Sequence, residues 1–97
     1  MSDTLTQEKI TVGGYTAYGP VTPEAKKIFY DVFPDGVHGN AIYTPFEVAT
    51  QGVAGKNYKY KCKVEPKNPT IPIVWESVVG IYQPPKGEPV LKSINPI

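Results

Sequence analysis

The sequence holds few of the residues that build catalytic and metal sites. Among its 97 residues there is one cysteine, Cys62, and one histidine, His38. A single cysteine excludes a disulfide within the chain. The sequence also has no zinc-ligand spacing, no phosphate-binding glycine loop and no paired-carboxylate motif. These absences favour a protein without metal, cofactor or enzymatic activity.

One catalytic nucleophile–base pair remains possible, because Cys62 and His38 would form a dyad if the fold brought them together. His38 lies beside Gly36, Val37 and Gly39, a glycine-rich stretch typical of a solvated loop. Cys62 falls on the core-facing side of an alternating strand, which predicts an inert, packed thiol. We therefore expect no enzyme, and a dyad would require these two side chains to converge.

The sequence also lacks an excess of charge of either sign and lacks a long apolar run. The chain has ten basic and nine acidic residues, for a net charge of +1. Nothing in this balance favours nucleic acid or an anionic membrane as a partner, and no apolar run is long enough to span a bilayer. The polar start MSDTLTQEKI is unlike a secretory signal. With a single cysteine, this favours the cytoplasm, unless a leader has been removed from a secreted protein.

The length of the chain indicates a single domain over residues 1–97, with residues 1–10 as a disordered N-terminal extension. The spacing predicts one helix over about residues 22–33. Thr22 is suited to cap it and Pro23 to occupy its first position. Its apolar stripe, at helical spacing, comprises Ala25, Ile28, Phe29, Val32 and Phe33.

Residues 41–51 and 56–66 are predicted to form a hairpin joined by the segment 51–55. In the first strand Pro45 indicates an edge or a bulge. Alternation there places Phe46, Val48 and Thr50 on one side. The second strand alternates more cleanly: its core side carries Tyr58, Tyr60, Cys62 and Val64, and its water side carries Lys59, Lys61 and Lys63.

Two more strands are predicted over residues 71–83 and 89–97, joined by a turn rich in proline and glycine over residues 83–88. Gly80 indicates a bulge in the first of them. The helix has one apolar stripe that needs a partner, and one face of a sheet is the partner available. The sequence therefore predicts an α+β domain, with one helix packed on a curved antiparallel sheet of four to five strands.

Three short stretches together resemble the cystatin family of cysteine-protease inhibitors. They are Gly13-Gly14 in an extended N-terminal trunk, Gln51-Gly52-Val53-Ala54-Gly55 in the first hairpin, and Pro84-Pro85-Lys86-Gly87 in the second. The family signature is an N-terminal glycine, a Gln-x-Val-x-Gly first loop and a second hairpin loop that often carries Pro-Trp. The resemblance covers roughly residues 11–94. A chain without disulfides looks like the stefin type, whereas its Val-Gly-Gly trunk is more similar to the secreted branch.

The resemblance implies a cystatin-like fold and a reversible, competitive, tight-binding inhibitor of papain-like, cathepsin-type cysteine proteases. The trunk and the two hairpin loops would then act as a wedge in the active-site cleft. The residues that this implies for protease binding are Val12, Gly13, Gly14, Gln51, Gly52, Val53, Ala54, Gly55, Pro84, Pro85 and Lys86.

One departure leaves an alternative open. Lys86 stands where many family members have a Trp, so the second loop lacks an aromatic anchor of the kind enriched at interface hot spots. The alternative is a cystatin-fold binding module without inhibitory activity. We expect a monomer, and a domain-swapped dimer is the other state that a helix and a hairpin of this kind allow.

Overall fold

The computed structural model describes residues 14–68, 70 and 72–97. Within them, helix α1 (Pro23–Val32) is followed by five strands that form one antiparallel sheet in chain order. The strands are β1 (Val37–His38), β2 (Ala41–Val53), β3 (Gly55–Pro66), β4 (Trp75–Gln83) and β5 (Val90–Pro96). The predicted class, one helix on a curved antiparallel sheet, is confirmed. The N-terminal extension predicted over residues 1–10 lies outside the described residues.

Helix α1 begins and ends close to the predicted positions. The Thr22 Oγ1 accepts a hydrogen bond of 3.1 Å from the Ala25 backbone N–H, and Pro23 occupies the first turn. A short 3-10 turn, Pro34–Gly36, follows, with Asp35 at a φ of +57°. Because proline cannot continue the backbone ladder, the helix stops before it.

The core lies between α1 and one side of the sheet. Phe29 and Phe33 are fully buried and stack at a centroid distance of 4.7 Å, and Phe29 meets the Tyr60 ring edge-on at 5.1 Å. The Tyr60 hydroxyl donates a buried hydrogen bond of 2.7 Å to the Ala25 carbonyl. Burying each of these large side chains contributes roughly 1.5–3 kcal/mol. The helix is therefore fixed to the middle of β3 by both packing and a satisfied polar group.

One predicted strand boundary was wrong, and one strand was missed. Strand β4 begins at Trp75 rather than at residue 71, and the exposed Ile73 and Val74 precede it. A short strand, β1, was not predicted at all, and it contains His38. His38 is exposed, as predicted, and its ring also packs against the Phe33 ring at a centroid distance of 5.3 Å. A strand of two residues is too short to give an alternating pattern.

The two predicted bulges are present, but one changes the side on which a residue lies. The register of β2 against β3 shifts between Pro45 and Glu47, which leaves Phe46 as the extra residue. Phe46 is 43% exposed while Val48 is buried, so the prediction that they share a side was wrong. A bulge adds one residue to one strand and so resets the alternation beyond it. The second shift falls beside Gly80, as predicted.

Candidate functional site

The turns of the two long hairpins, β2–β3 and β4–β5, lie side by side at one end of the sheet, here called the apical end. It comprises Gly14, the first hairpin tip Gln51–Gly55 and the second turn Tyr82–Gly87. The turns are neighbours because β3 pairs with β4 in a register that places Lys56 opposite Gln83. Segments far apart in the sequence are therefore brought together by strand pairing alone.

The N-terminal segment reaches the apical end by running along β2. The Thr16 backbone N–H donates to the Thr50 carbonyl at 2.8 Å, and Gly19 exchanges bonds of 3.0 and 2.9 Å with Val48. This pairing brings Gly14, at a φ of +80°, against Gln51. A Cβ placed on Gly14 would lie 3.2 Å from the Gln51 Nε2. Gly14 is therefore brought to the first hairpin, whereas Val12 and Gly13 lie outside the described residues.

Two tyrosines of this segment lie over the side of the sheet that faces away from the helix. The Lys59 ammonium lies 4.2 Å from the Tyr15 ring centroid, and the Lys61 ammonium lies 4.5 Å from that of Tyr18. Cation–π contacts at such partly exposed positions contribute about 0.5–1 kcal/mol each. The lysine row lies on the side of β3 away from the core, as predicted, and two of its members also contact tyrosine rings. No local pattern in residues 14–19 marks these contacts.

The first hairpin tip is paired almost to its end, although the sequence predicted a loop over residues 51–55. Gln51 lies opposite Asn57 and Val53 opposite Gly55, which leaves Ala54 alone at the turn. The Gln51 Oε1 accepts a hydrogen bond of 2.8 Å from the Asn57 Nδ2. This bond ties the two strands together directly below the tip.

The glycines of the tip differ in what surrounds them. Gly55 has a φ of +96°, and a Cβ there would lie 2.3 Å from the Gln83 carbonyl oxygen. Gly52 has no atom within 4 Å of such a Cβ. Val53 is 49% exposed, and Ala54 is exposed beside it. The tip is therefore thin and uncharged, and its apolar side chains face outward.

The second turn is held by side-chain hydrogen bonds. The Gln83 Nε2 donates to the carbonyls of Pro84 and Gly87, each at 3.0 Å. The Tyr82 hydroxyl donates to the Ala54 carbonyl, which links the second turn to the first tip. Lys86 is exposed at the turn, and its ammonium makes no ion pair within the described part of the chain. No local pattern in the sequence indicates the Tyr82 contact, since it depends on the register of two strands.

The predicted site residues Pro84 and Pro85 lie against the first tip. A Cβ on Gly55 would come 3.0 Å from the Pro84 Cα and 3.1 Å from the Pro85 Cδ. The absence of a side chain at Gly55 thus permits the two turns to touch. Of the predicted site, the fold brings together Gly14, Gln51–Gly55 and the second turn.

The two side chains of the alternative dyad are not joined. Cys62 is fully buried, and burial raises the pKa of its thiol to about 12. Its S–H points toward the Tyr60 carbonyl at 3.9 Å, and no hydrogen bond joins it to His38 in the described ranges. The residues that the structure describes also contain no group of three or more His, Cys, Asp and Glu side chains that could hold a metal ion. No helix found among them is long and apolar enough to cross a membrane.

Comparisons with known proteins found no matching family model, curated protein or solved structure. The resemblance therefore rests on the motifs themselves. The structure adds evidence that is independent of these motifs. Gly14 lies against Gln51 and Gly55 lies against the second turn because of strand register, not because of local sequence.

Proposed function

We propose that the chain is a cystatin-like, reversible, competitive and tight-binding inhibitor of papain-like cysteine proteases. In this proposal the apical end enters the active-site cleft of the enzyme. The observation that carries it is the convergence of three separate segments at one thin end of the sheet, where the first tip carries no charge. These are the segments on which the family resemblance rests.

A narrow protease cleft favours an edge of this shape and chemistry. An inhibitor must reach the floor of the cleft without placing a cleavable bond in the attack position. A tip of Gly52, Val53 and Ala54 carries no charge, so its burial avoids the cost of desolvating an ion. Its backbone reverses at Ala54 within a paired hairpin, which limits how far the chain can be drawn across a catalytic cysteine.

The hydrogen bonds of the apical end favour tight binding because they order the tip before it binds. Asn57 holds Gln51, Tyr82 holds Ala54, and Gln83 holds its own turn. Ordering a loop on binding costs affinity, and preorganisation lowers that cost. The three segments together offer a surface suited to the roughly 1,600 Å² of a protease–inhibitor interface.

Each segment has a role in this proposal. Val53 contacts the apolar wall of the cleft, and Gly14, with Val12 and Gly13 before it, guides the trunk along the pockets that hold substrate side chains. In the second turn, Pro84–Lys86 make the third contact, on the other side of the first tip.

The direct test is titration of papain or a cathepsin with the full chain. We expect complete inhibition that competes with substrate, and an active enzyme at micromolar inhibitor would contradict the proposal. Val53→Asp buries a carboxylate in the contact and should raise the inhibition constant about 50-fold or more, since an unpaired buried charge costs at least ~2–3 kcal/mol.

The matched control is Val74→Asp. Val74 is 57% exposed, similar to Val53, but it precedes β4 at the opposite end of the sheet. This variant should inhibit like the parent chain. Equal losses for both variants would show that charge, rather than the apical contact, governs inhibition.

The second candidate is a cystatin-fold binding module without inhibitory activity, and Lys86 is the observation that favours it. An exposed lysine at the second turn gives a cleft no aromatic anchor. This candidate predicts that papain stays active while another protein is bound. A cytoplasmic location is part of the leading proposal, in keeping with a single buried thiol that needs no oxidising compartment.

A further inference from the structure

Most exposed apolar side chains lie at the end of the sheet opposite the apical end. The described residues expose seven large apolar side chains, and five of them are near the start of β4, the bulge of β2 or the end of β5. These five are Phe46, Ile73, Val74, Trp75 and Ile97. Exposed apolar side chains that lie together mark an interaction surface more often than scattered ones do.

Two of these five, Phe46 and Ile97, lie in or beside one row of residues that crosses β2, β3 and β4 and ends just after β5. Thr44 pairs with Lys63, Lys63 pairs with Glu76, and the Ile97 backbone N–H donates to the Glu76 carbonyl at 2.9 Å. Phe46, the bulge residue, stands beside the row and lines with three of its members a depression of about 330 Å³. We call Thr44, Phe46, Lys63, Glu76 and Ile97 the basal face.

The basal face lies on the side of the sheet away from α1. Tyr43 and Val64, the chain neighbours of Thr44 and Lys63, are buried in the core under the helix. Since successive strand residues point to opposite sides, Thr44 and Lys63 point away from the core. All five residues of the face are exposed.

The charges of the basal face are balanced and unpaired. Lys63 and Glu76 occupy adjacent strands, yet neither lies within ion-pair distance of an opposite charge in the part of the chain that the structure describes. A patch of one sign would favour a partner of the other sign. One cation beside one anion is instead complementary to itself when rotated by a two-fold axis.

We propose that the basal face is the contact surface of a two-fold symmetric dimer of this chain. An axis that runs along the strands, between Lys63 and Glu76, brings Lys63 of each copy over Glu76 of the other. The same rotation brings the Phe46 flank of one copy toward the Ile97 flank of the other. Apolar contact at both flanks then shields two intermolecular ion pairs from water, which strengthens them.

This dimer differs from the monomer that the sequence predicts, and it does not depend on the proposed inhibitory function. The remainder of β2 separates Thr44 from the apical tip by roughly 30 Å, at about 3.3 Å per strand residue. Because the axis runs along the strands, both apical ends lie at the same end of the dimer, beyond the basal contact. A curved sheet that meets a second one by its outer side has a small contact area, so the association is weak.

The first test is sedimentation equilibrium of the full chain from about 10 µM to 1 mM, a range suited to a weak dimer. We expect a reversible monomer–dimer equilibrium. Phe46→Ser should raise the dissociation constant at least tenfold. Val90→Ser is the matched control, because Val90 is 48% exposed but pairs with Tyr82 near the apical end. It should leave the dissociation constant unchanged.

The sharper test uses charge reversal. Lys63→Glu alone and Glu76→Lys alone place like charges against each other in the dimer, so each variant should be monomeric. An equimolar mixture should form a heterodimer, since each variant then presents the charges that the other lacks. The control mixture combines Lys27→Glu with Asp31→Lys. These variants make the same two charge reversals at an exposed ion pair on the helix, away from the basal face.

Several outcomes would overturn the inference. A monomer at every concentration would leave the basal face to solvent or to another molecule. A dimer that tolerates Phe46→Ser, or a charge-reversed mixture no more associated than the control mixture, would place the contact elsewhere. A dimer that exchanges only after unfolding and is indifferent to basal variants would be a domain-swapped form. Circular dichroism of each variant verifies that its fold is retained.

Discussion

The apical and basal ends are built from the same strands but differ in residue size, charge and internal bonding. The apical end has small residues that are bonded to one another, as Tyr82 is to Ala54 and Asn57 is to Gln51. The basal end has a phenylalanine, a lysine and a glutamate that share a depression without bonding to one another. An end closed on itself is suited to insertion as a rigid body, and an open end is suited to cover by a second surface.

Local backbone geometry explains part of this difference. At the apical end, the positive φ of Gly55 permits two turns to touch. At the basal end, the bulge at Phe46 turns a large apolar side chain out of the core. In one case an absent side chain produces contact, and in the other an extra residue produces exposure.

The largest effect that we expect from breaking the apical joint is that of Gly55→Ala. An alanine there must adopt a φ near +96° with its Cβ 2.3 Å from the Gln83 carbonyl oxygen, so the turns must separate. We expect the free energy of unfolding to fall by about 3 kcal/mol, from backbone strain and lost packing together. Urea denaturation measures this loss.

Gly52→Ala is the control in the same hairpin. Its new Cβ meets open space and its φ is not positive, so the change in unfolding free energy should stay within about 0.5 kcal/mol. Similar losses for both variants would mean that any side chain in the tip, rather than contact between the turns, destabilises the fold.

The middle of the sheet separates the two ends, and the pH dependence of stability tests its burial. The folded pKa of Cys62 is raised from 9.0 to about 12 by burial, so the folded chain keeps its thiol proton where the unfolded chain has lost it. Stability is therefore unaffected below about pH 9 and falls as the pH rises toward 12. By pH 10.5 the loss from this group amounts to roughly 2 kcal/mol, at 1.36 kcal/mol per pH unit.

Denaturant titrations between pH 7 and pH 10.5 measure this dependence. Cys62→Ala lacks the titrating thiol, so its unfolding free energy should fall less steeply with pH than that of the parent chain, although it starts lower because of the cavity. Tyr60 also has a pKa raised by burial and contributes to both curves. Parallel curves for the two proteins would contradict the burial of the thiol.

The parts of the fold that could be predicted from the sequence depend on local patterns. The helix followed from Thr22, Pro23 and one apolar stripe, and the core side of β3 followed from strict alternation. The positive φ of Gly55 and the hydrogen bond between Gln51 and Asn57 likewise lie within one hairpin. Each of these features is decided by residues within a few positions of one another.

The parts that could not be predicted depend on register between distant segments. Phe46 leaves the core because β2 slips by one residue against β3, and a single sequence indicates a bulge near Pro45 without placing its extra residue. The contact of Lys59 with Tyr15 joins segments that share no local pattern. The basal row likewise depends on the pairing of Lys63 with Glu76.

The smallest effect that we expect concerns the link between the two apical turns. Tyr82→Phe removes the hydroxyl that donates to the Ala54 carbonyl and changes little else. A single neutral hydrogen bond contributes about 1 kcal/mol, so unfolding free energy should fall by about that amount. If the tip binds as a preorganised unit, the inhibition constant for papain should also rise several-fold, mainly through faster dissociation.

Tyr30→Phe separates this link from the general loss of a tyrosine hydroxyl. Tyr30 is half-buried on α1, and its hydroxyl makes no hydrogen bond within the described residues. It should change neither stability nor inhibition. If Tyr82→Phe loses stability but inhibits as well as the parent chain, the link stabilises the fold without preparing the tip for binding. If both properties fall together, the rigidity of the apical end is part of how it binds, and the open basal end has no counterpart to it.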